Sequence, residues 1–170
     1  MPGWGDYPVR QRLAARYHVP VWVDNEVNLM ALGEFRSGLG KGHQDLVFVK
    51  IGTGIGAGLI CSGRLHRGAQ GAAGEVGHLT VVEDPSITDW CGNIGCLVQV
   101  ASGMAIGRDA AAAAATGRSP YLAALLARGG TIAASDVAAG AASGDPVSVE
   151  ILTRAGEYVG RMATTLVNSF

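Results

Sequence analysis

The fold of this chain is read from IGTGIGAGLICSGRLHRGAQGAAGEVGH, residues 51–78. An apolar run, residues 46–51, leads into it, and Leu59-Ile60-Cys61 follows the glycines before the turn residues Ser62-Gly63. That order reads as strand, glycine turn, strand. Gly52, Gly54, Gly56 and Gly58 alternate, and glycines at such a turn let the backbone reach unusual conformations and leave amide N–H groups uncovered, as a phosphate requires. Gly52, Thr53, Gly54 and Gly56 are therefore candidate phosphate- or ATP-binding residues. A Walker loop is excluded, because no Gly-Lys-Ser/Thr closes the run, and so is the dinucleotide fingerprint, because no helix follows directly. A β-hairpin whose glycines serve only the tight turn accounts for the same residues.

Eight residues separate Leu59 from Gly68, and five more separate Gly68 from Gly74-Glu75-Val76-Gly77-His78. With these positions the stretch resembles the ROK family of repressors, open reading frames and sugar kinases. The family's signature is an aliphatic residue, a glycine-rich turn, a spaced glycine and a terminal Gly-Glu-x-Gly-His, and each position is met between Ile51 and His78. The resemblance implies an α/β, actin-like ATPase (ribonuclease-H-like) fold, present here in part, with a β-meander carrying the glycine turn plus several helices. By themselves Glu75 and His78 read as an exposed carboxylate and a satisfied histidine. The resemblance makes Glu75 a ligand of sugar hydroxyls and His78 both a sugar-site residue and a zinc ligand beside the sugar.

Composition agrees with a folded chain. At 170 residues there is room for one ordinary core, and 48% hydrophobic against 16% charged residues excludes intrinsic disorder. A net charge of −1 offers no electrostatic footprint for nucleic acid. No run of 18 strongly apolar residues marks a membrane span, and MPGWGDYPVR lacks the apolar centre of a signal peptide, so the expectation is a cytoplasmic protein without membrane contact. Three cysteines, an odd number, fit a reducing compartment.

Towards the N-terminus, residues 7–17 place Val9, Leu13 and Tyr17 at helical spacing with Arg10, Arg12 and Arg16 on the other side. Residues 18–23 are expected as a short strand with Pro20 near its start. Asp24-Asn25-Glu26 then sits between that strand's end and a helix from Val27 to Phe35. Helix capping by Asp24 or Asn25 explains these polar residues, and so does a ligand crevice at a strand's C-terminal end. In ROK sugar kinases the corresponding run is Asn-Asp, the Asn bonding sugar hydroxyls and the Asp acting as base. Asn25 matches the Asn. Glu26 replaces the Asp, which leaves it a sugar contact but a weak or inactive catalytic base.

Towards the C-terminus, residues 44–51, 57–61 and 79–82 are expected as the three strands of the meander. In Asp89-Trp90-Cys91-Gly92-Asn93-Ile94-Gly95-Cys96, two thiols around a glycine knuckle suit tetrahedral zinc with His78 as nitrogen ligand; two unmetallated thiols, or a disulfide, are the alternatives. The family pattern is Cys-x-Cys-x4-Cys. Cys91 and Cys96 match its last two positions, and Asp89 stands in the first, where a carboxylate oxygen is a harder but acceptable zinc ligand. Val98 stands where the family has a sugar-binding Glu and cannot accept a hydrogen bond; Gln99 points about 100° around the helix and is a poor substitute.

Helices are expected from Leu97 into the alanines, from Ser119-Pro120, from a cap at Ser135, and from Asp145-Pro146 to the C-terminus. The last carries Ile151, Leu152, Ala155, Tyr158, Val159, Met162, Ala163, Leu166 and Val167 on one broad stripe, wide enough to call for partners on more than one side and so for a homo-oligomer. The resemblance places residues 1–38 at the end of an N-terminal lobe and 39–170 in a C-terminal lobe lacking its last strand and turn. It implies the sugar-sensing effector domain of a transcriptional regulator, with DNA bound only through a segment outside this chain. The alternative is an ATP-dependent sugar kinase of the glucokinase type, and ATP with Mg would enter only there.

Overall fold

A computed structural model describes residues 6–169; the start of the N-terminal stretch read against a signal peptide lies outside them. Three strands form one antiparallel sheet in the order β1-β2-β3: β1 at Leu46–Ile51, β2 at Ile55–Cys61 and β3 at Arg64–His66. Pairing runs from Leu46 with Ile60 to Ile51 with Ile55, so residues 52–54 are the hairpin loop. Along β2 the side chains alternate as a strand requires. Ile55, Ala57 and Leu59 enter the main core, while Gly56 and Gly58 face the helix α2, Glu26–Ser37.

This corrects the reading of the glycines. Gly52, Gly54, Gly56 and Gly58 all have negative or extended φ, so none uses left-handed freedom. Gly58 is needed for close approach instead: a Cβ there would strike the Ala31 side chain and lie 2.8 Å from the Val27 carbonyl. The bare strand surface lets α2 lie against the sheet and brings its N-terminus to the hairpin loop. Left-handed backbone occurs at Gly74, with φ of 95°, where the Gly74 carbonyl accepts a 2.7 Å hydrogen bond from the Ala57 amide and fastens the Glu75 segment to β2.

Two expected strands are absent among the described residues. Residues 18–23 follow α1, Val9–Tyr17, as irregular chain with no adjacent strand to take their backbone hydrogen bonds. Residues 79–82 are drawn to the cysteine segment rather than the sheet. Thr80 bridges Cys96, the Val81 amide donates to the Gly95 carbonyl at 2.9 Å, and the Leu97 amide donates to Leu79 at 2.9 Å. The third strand is β3, too short and polar for its alternation to show.

The remaining helices pack around the other face of β2. The helix expected from Leu97 is two: α3, Leu97–Ala101, and α4, Gly103–Ala115, separated because extended Ser102 caps α4 by accepting from the Ala105 amide at 3.2 Å. α5, Pro120–Ala127, has the expected Ser119 cap. In α6, Ala134–Ala142, Ser135 lies inside the first turn and is not the cap; the Asp136 carboxylate accepts from the Ala133 amide at 2.8 Å. α7, Pro146–Val167, packs on α3, α4 and α6. Its stripe is largely consumed within the chain. Ile151, Ala155, Met162 and Leu166 are buried, Leu152, Tyr158 and Val159 are packed against the core, and of the nine only Ala163 and Val167 are exposed. This face does not by itself demand a partner.

Asp145 ties the helical layer together. Its Oδ2 accepts from the Ser148 amide at 2.9 Å and hydroxyl at 2.6 Å, and its Oδ1 from the Ser119 hydroxyl at 2.8 Å, so one carboxylate caps α7 and holds the cap of α5. Burial raises its pKa, but the hydrogen bonds from Ser148 and Ser119 prevail and hold it below its ordinary 3.8. A carboxyl depressed in the folded state stabilises above its unfolded pKa, and that stability is lost as pH falls through the folded value. Asp145→Ala should cost about 2–4 kcal/mol, a lost cap plus two buried hydroxyls without their acceptor. In urea unfolding this deficit should shrink on acidification below about pH 4. A loss under about 0.5 kcal/mol at neutral pH would contradict this account.

Candidate functional site

The approach of α2 to the hairpin creates a cleft of about 380 Å3 lined by Asn25, Glu26, Lys50, Thr53, Gly54 and Glu75, among others. Asn25 caps α2, its Oδ1 accepting from the amides of Val27 at 2.8 Å and Asn28 at 3.4 Å. Its oxygen is spent on the cap, and its NH2 is the group it offers to a ligand. Asp24 braces this corner. It accepts from the Asn28 side chain at 3.1 Å and from Arg67 Nε at 3.0 Å, joining the start of α2 to the loop beyond β3. Burial raises the Asp24 pKa, but hydrogen bonds from Asn28 and Arg67 outweigh it and leave the carboxyl below its usual range.

Glu26 forms an ion pair with Lys50 of β1, and the pair spans the cleft. Among the four candidate phosphate residues the structure separates roles. The Gly52 amide donates to the Gly54 carbonyl at 2.9 Å within the turn, and its carbonyl accepts from Gly103 at 2.7 Å, while Gly56 lies within β2 opposite Lys50. Thr53 and Gly54 are exposed at the loop tip. Thr53 and Gly52 also line a second cavity of about 520 Å3, with Met104, Ile106 and Arg108 of α4 and Ile132. The turn therefore stands between two cavities.

His78 does not line the first cleft. It ends a short 3-10 turn, Val76–His78, and its Nδ1 lies 2.7 Å from Asp89 Oδ2. Cys91 Sγ and Cys96 Sγ are 3.6 Å apart, and the four donor atoms of His78, Asp89, Cys91 and Cys96 lie within 4.8 Å of one another. Bonds of about 2.0–2.3 Å to a common tetrahedral centre place ligand atoms roughly 3.3–3.8 Å apart, so a small contraction or expansion of this cluster accommodates zinc. One nitrogen, two sulfurs and one oxygen is also a donor set that suits it.

The electrostatics agree. Asp89 is raised by burial, yet hydrogen bonds from Cys91, Gln99 and His78 carry it well below the carboxylate range, so it is ionised. Burial, with Cys91 and Asp89 beside it, pushes the Cys96 thiol up to about 12. A cation among the donors offsets that penalty, because thiolate is the ligand form. The exposed Trp90 ring meets His78 edge-on, 5.4 Å between centroids.

Three participants escaped the sequence reading. Lys50 had a signal, a lone cation inside an apolar strand run. Arg67 had none, because its partner is 43 residues away. Gln99, dismissed as a poor replacement for a sugar ligand, donates to Asp89 Oδ1 at 2.8 Å. Val98 is half-buried and lines a smaller cavity with Thr53, Ser102 and Arg108.

Known proteins share this fold. The ROK family model matches residues 1–170. A glucokinase from Halalkalibacterium halodurans is 34% identical over 98% of this chain and 51% of its own length. The crystal structure of a ROK family glucokinase from Streptomyces griseus, in complex with glucose and AMPPNP, superposes with a TM-score of 0.79 at 35% identity, covering 96% of this chain and 53% of that one. A ROK family transcriptional regulator described as a homolog of the E. coli MLC protein superposes with a TM-score of 0.78 at 32% identity, covering 95% and 40%. The chain thus spans about half the length of the curated glucokinase it matches. With the signature stretch between Ile51 and His78 and a family model that matches the whole sequence, this chain belongs to the ROK family.

Proposed function

We propose that the chain is the sugar-sensing, effector-binding part of a ROK-family transcriptional regulator. Residues 1–38 would supply the end of one lobe of an actin-like, ribonuclease-H-like fold, and 39–170 much of the other. The observation that carries this reading is the Glu26–Lys50 pair. A general base must present a lone pair to the hydroxyl it deprotonates. Here the carboxylate at that position is one methylene longer than Asp and engaged by an ammonium group on the facing strand. Binding survives such a change better than proton transfer does, because a sensor needs only a difference in affinity between two states.

In this reading Asn25, Glu26 and Glu75 contact sugar hydroxyls, and His78 acts beside them through the metal centre. His78, Cys91, Cys96 and Asp89 hold a structural zinc ion that fixes the segment between Glu75 and α3. DNA is engaged by a segment outside this chain, and assembly into oligomers relies on surfaces other than the α7 stripe.

A second reading, an ATP-dependent sugar kinase, is favoured by the 520 Å3 cavity on the far side of the turn. Its apolar walls from Met104, Ile106 and Ile132 suit a nucleoside, and Gly52 and Thr53, which also line it, would then face its phosphates, while Gly54 and Gly56 lie on the side of the other cleft.

Calorimetric titration of the full-length protein with pentoses, hexoses and N-acetyl hexosamines tests sugar sensing. At least one should bind, and Glu75→Gln should weaken it by about 10- to 100-fold, the value of a hydrogen bond to a charged group. No binding across the panel, or equal affinity in the variant, would remove the sugar assignment of this cleft.

A further inference from the structure

We propose that Gln99 is the residue that makes Asp89 a workable metal ligand in place of a thiolate, by occupying one carboxylate oxygen and leaving the other as a single donor. This inference rests on the metal reading of the cluster and adds a positioning residue to it.

A thiolate offers one donor atom, whereas a carboxylate offers two and can bind through one or both. Replacing a thiolate without disturbing a four-coordinate centre therefore requires that the second oxygen be held elsewhere. The structure shows this division. Asp89 Oδ1 accepts from Gln99 Nε2 at 2.8 Å, and Oδ2 faces His78 Nδ1 at 2.7 Å, toward the other donors. The Asp89 side chain is fully buried, so solvent does not substitute for the amide.

Gln99 is itself fixed. It sits three residues after Cys96, which caps α3, so the start of this helix carries both a candidate ligand and the positioning residue. Its own amide donates to the Cys96 carbonyl at 2.9 Å, and its carbonyl accepts from Arg108 Nη2 at 3.0 Å. Outer-shell partners held this way orient the ligand and raise affinity. The amide side chain suits this role because it donates to the carboxylate, whereas a Glu would repel it.

The experiment measures zinc affinity by competition with a chromophoric chelator, and the visible spectrum after cobalt substitution, on the full-length protein. Gln99→Leu should weaken zinc by about 10- to 100-fold, the usual effect of removing an outer-shell partner. Its cobalt bands should lose intensity as Asp89 swings to two-oxygen binding and the coordination number rises to five. Gln99→Glu keeps the shape of the side chain but replaces the donor with a repelling carboxylate, and should show at least the same weakening, with circular dichroism confirming that both variants fold. In an Asp89→Cys background, where no second oxygen needs holding, Gln99→Leu should change affinity less than about twofold. Equal losses in both backgrounds would reduce Gln99 to a packing residue and overturn the proposal, as would unchanged affinity and spectrum in Gln99→Leu and Gln99→Glu. If the parent protein binds neither zinc nor cobalt, the metal reading fails and this proposal with it; if the parent binds and only the Gln99 variants disagree, the metal reading stands alone.

Discussion

Stripping the metal with a strong chelator is expected to cost the protein about 4 kcal/mol, the linkage contribution of a ligand present at a thousand times its dissociation constant. For a domain of this size that lowers Tm by about 8–16 °C. The segment from Leu79 to Cys96 explains the size of the effect. It has no place in the sheet, two isolated bridges join it to itself, and it carries a buried aspartate and a buried cysteine into the interior. Without a cation those donors are left facing one another. Cys96→Ser should reproduce the loss, since a hydroxyl does not ionise to replace the thiolate, and added zinc should rescue the stripped parent but not the variant. Acidification should weaken binding, because protons compete for the same donors. The check is metal analysis with thermal unfolding of protein purified without chelator. Less than about a tenth of an equivalent of zinc, with Tm unmoved by chelator, would sink the metal reading.

The second large effect concerns chemistry. The full-length protein is expected to release ADP from ATP at well under about 1 s⁻¹ with any common hexose or N-acetyl hexosamine, below the ordinary range of enzyme turnover. Lengthening the base by a methylene displaces its carboxylate by about 1 Å, and a misplacement of that order can cost about a hundredfold. The Lys50 pair adds to this, because the carboxylate must leave its partner before it can accept a proton. Val98 removes a further acceptor at the position where the family supplies a sugar-binding Glu. Sugar affinity would fall, but Asn25 and Glu75 still line the cleft. A coupled ADP assay decides the matter. Turnover above about 1 s⁻¹ would transfer the assignment to the kinase reading, with the larger cavity as its nucleotide site.

What the sequence alone determined is local and linear. The hairpin of β1 and β2 follows from two apolar runs flanking a glycine loop, and the caps at Ser119 and Asp145 from residues whose side chains bond their own helix starts. The proximity of the candidate metal donors was legible because a knuckle keeps Asp89, Cys91 and Cys96 close together in the chain, so spacing stands in for distance. Tertiary structure decided everything that depends on a distant partner. Residues 79–82 had the pattern of a strand, yet their backbone pairs with the cysteine segment, and only a neighbour's position decides where a strand's hydrogen bonds go. Gly56 and Gly58 are small because α2 lies against them, a requirement set by an element that precedes the sheet in the chain. The α7 stripe looked unpartnered because a hydrophobic face carries no sign of what covers it; α3, α4 and α6 do so here. The Glu26–Lys50 and Asp24–Arg67 pairs, 24 and 43 residues apart, exist only once α2 has settled on the sheet, because each joins the start of α2 to a residue of the sheet or of the loop beyond it.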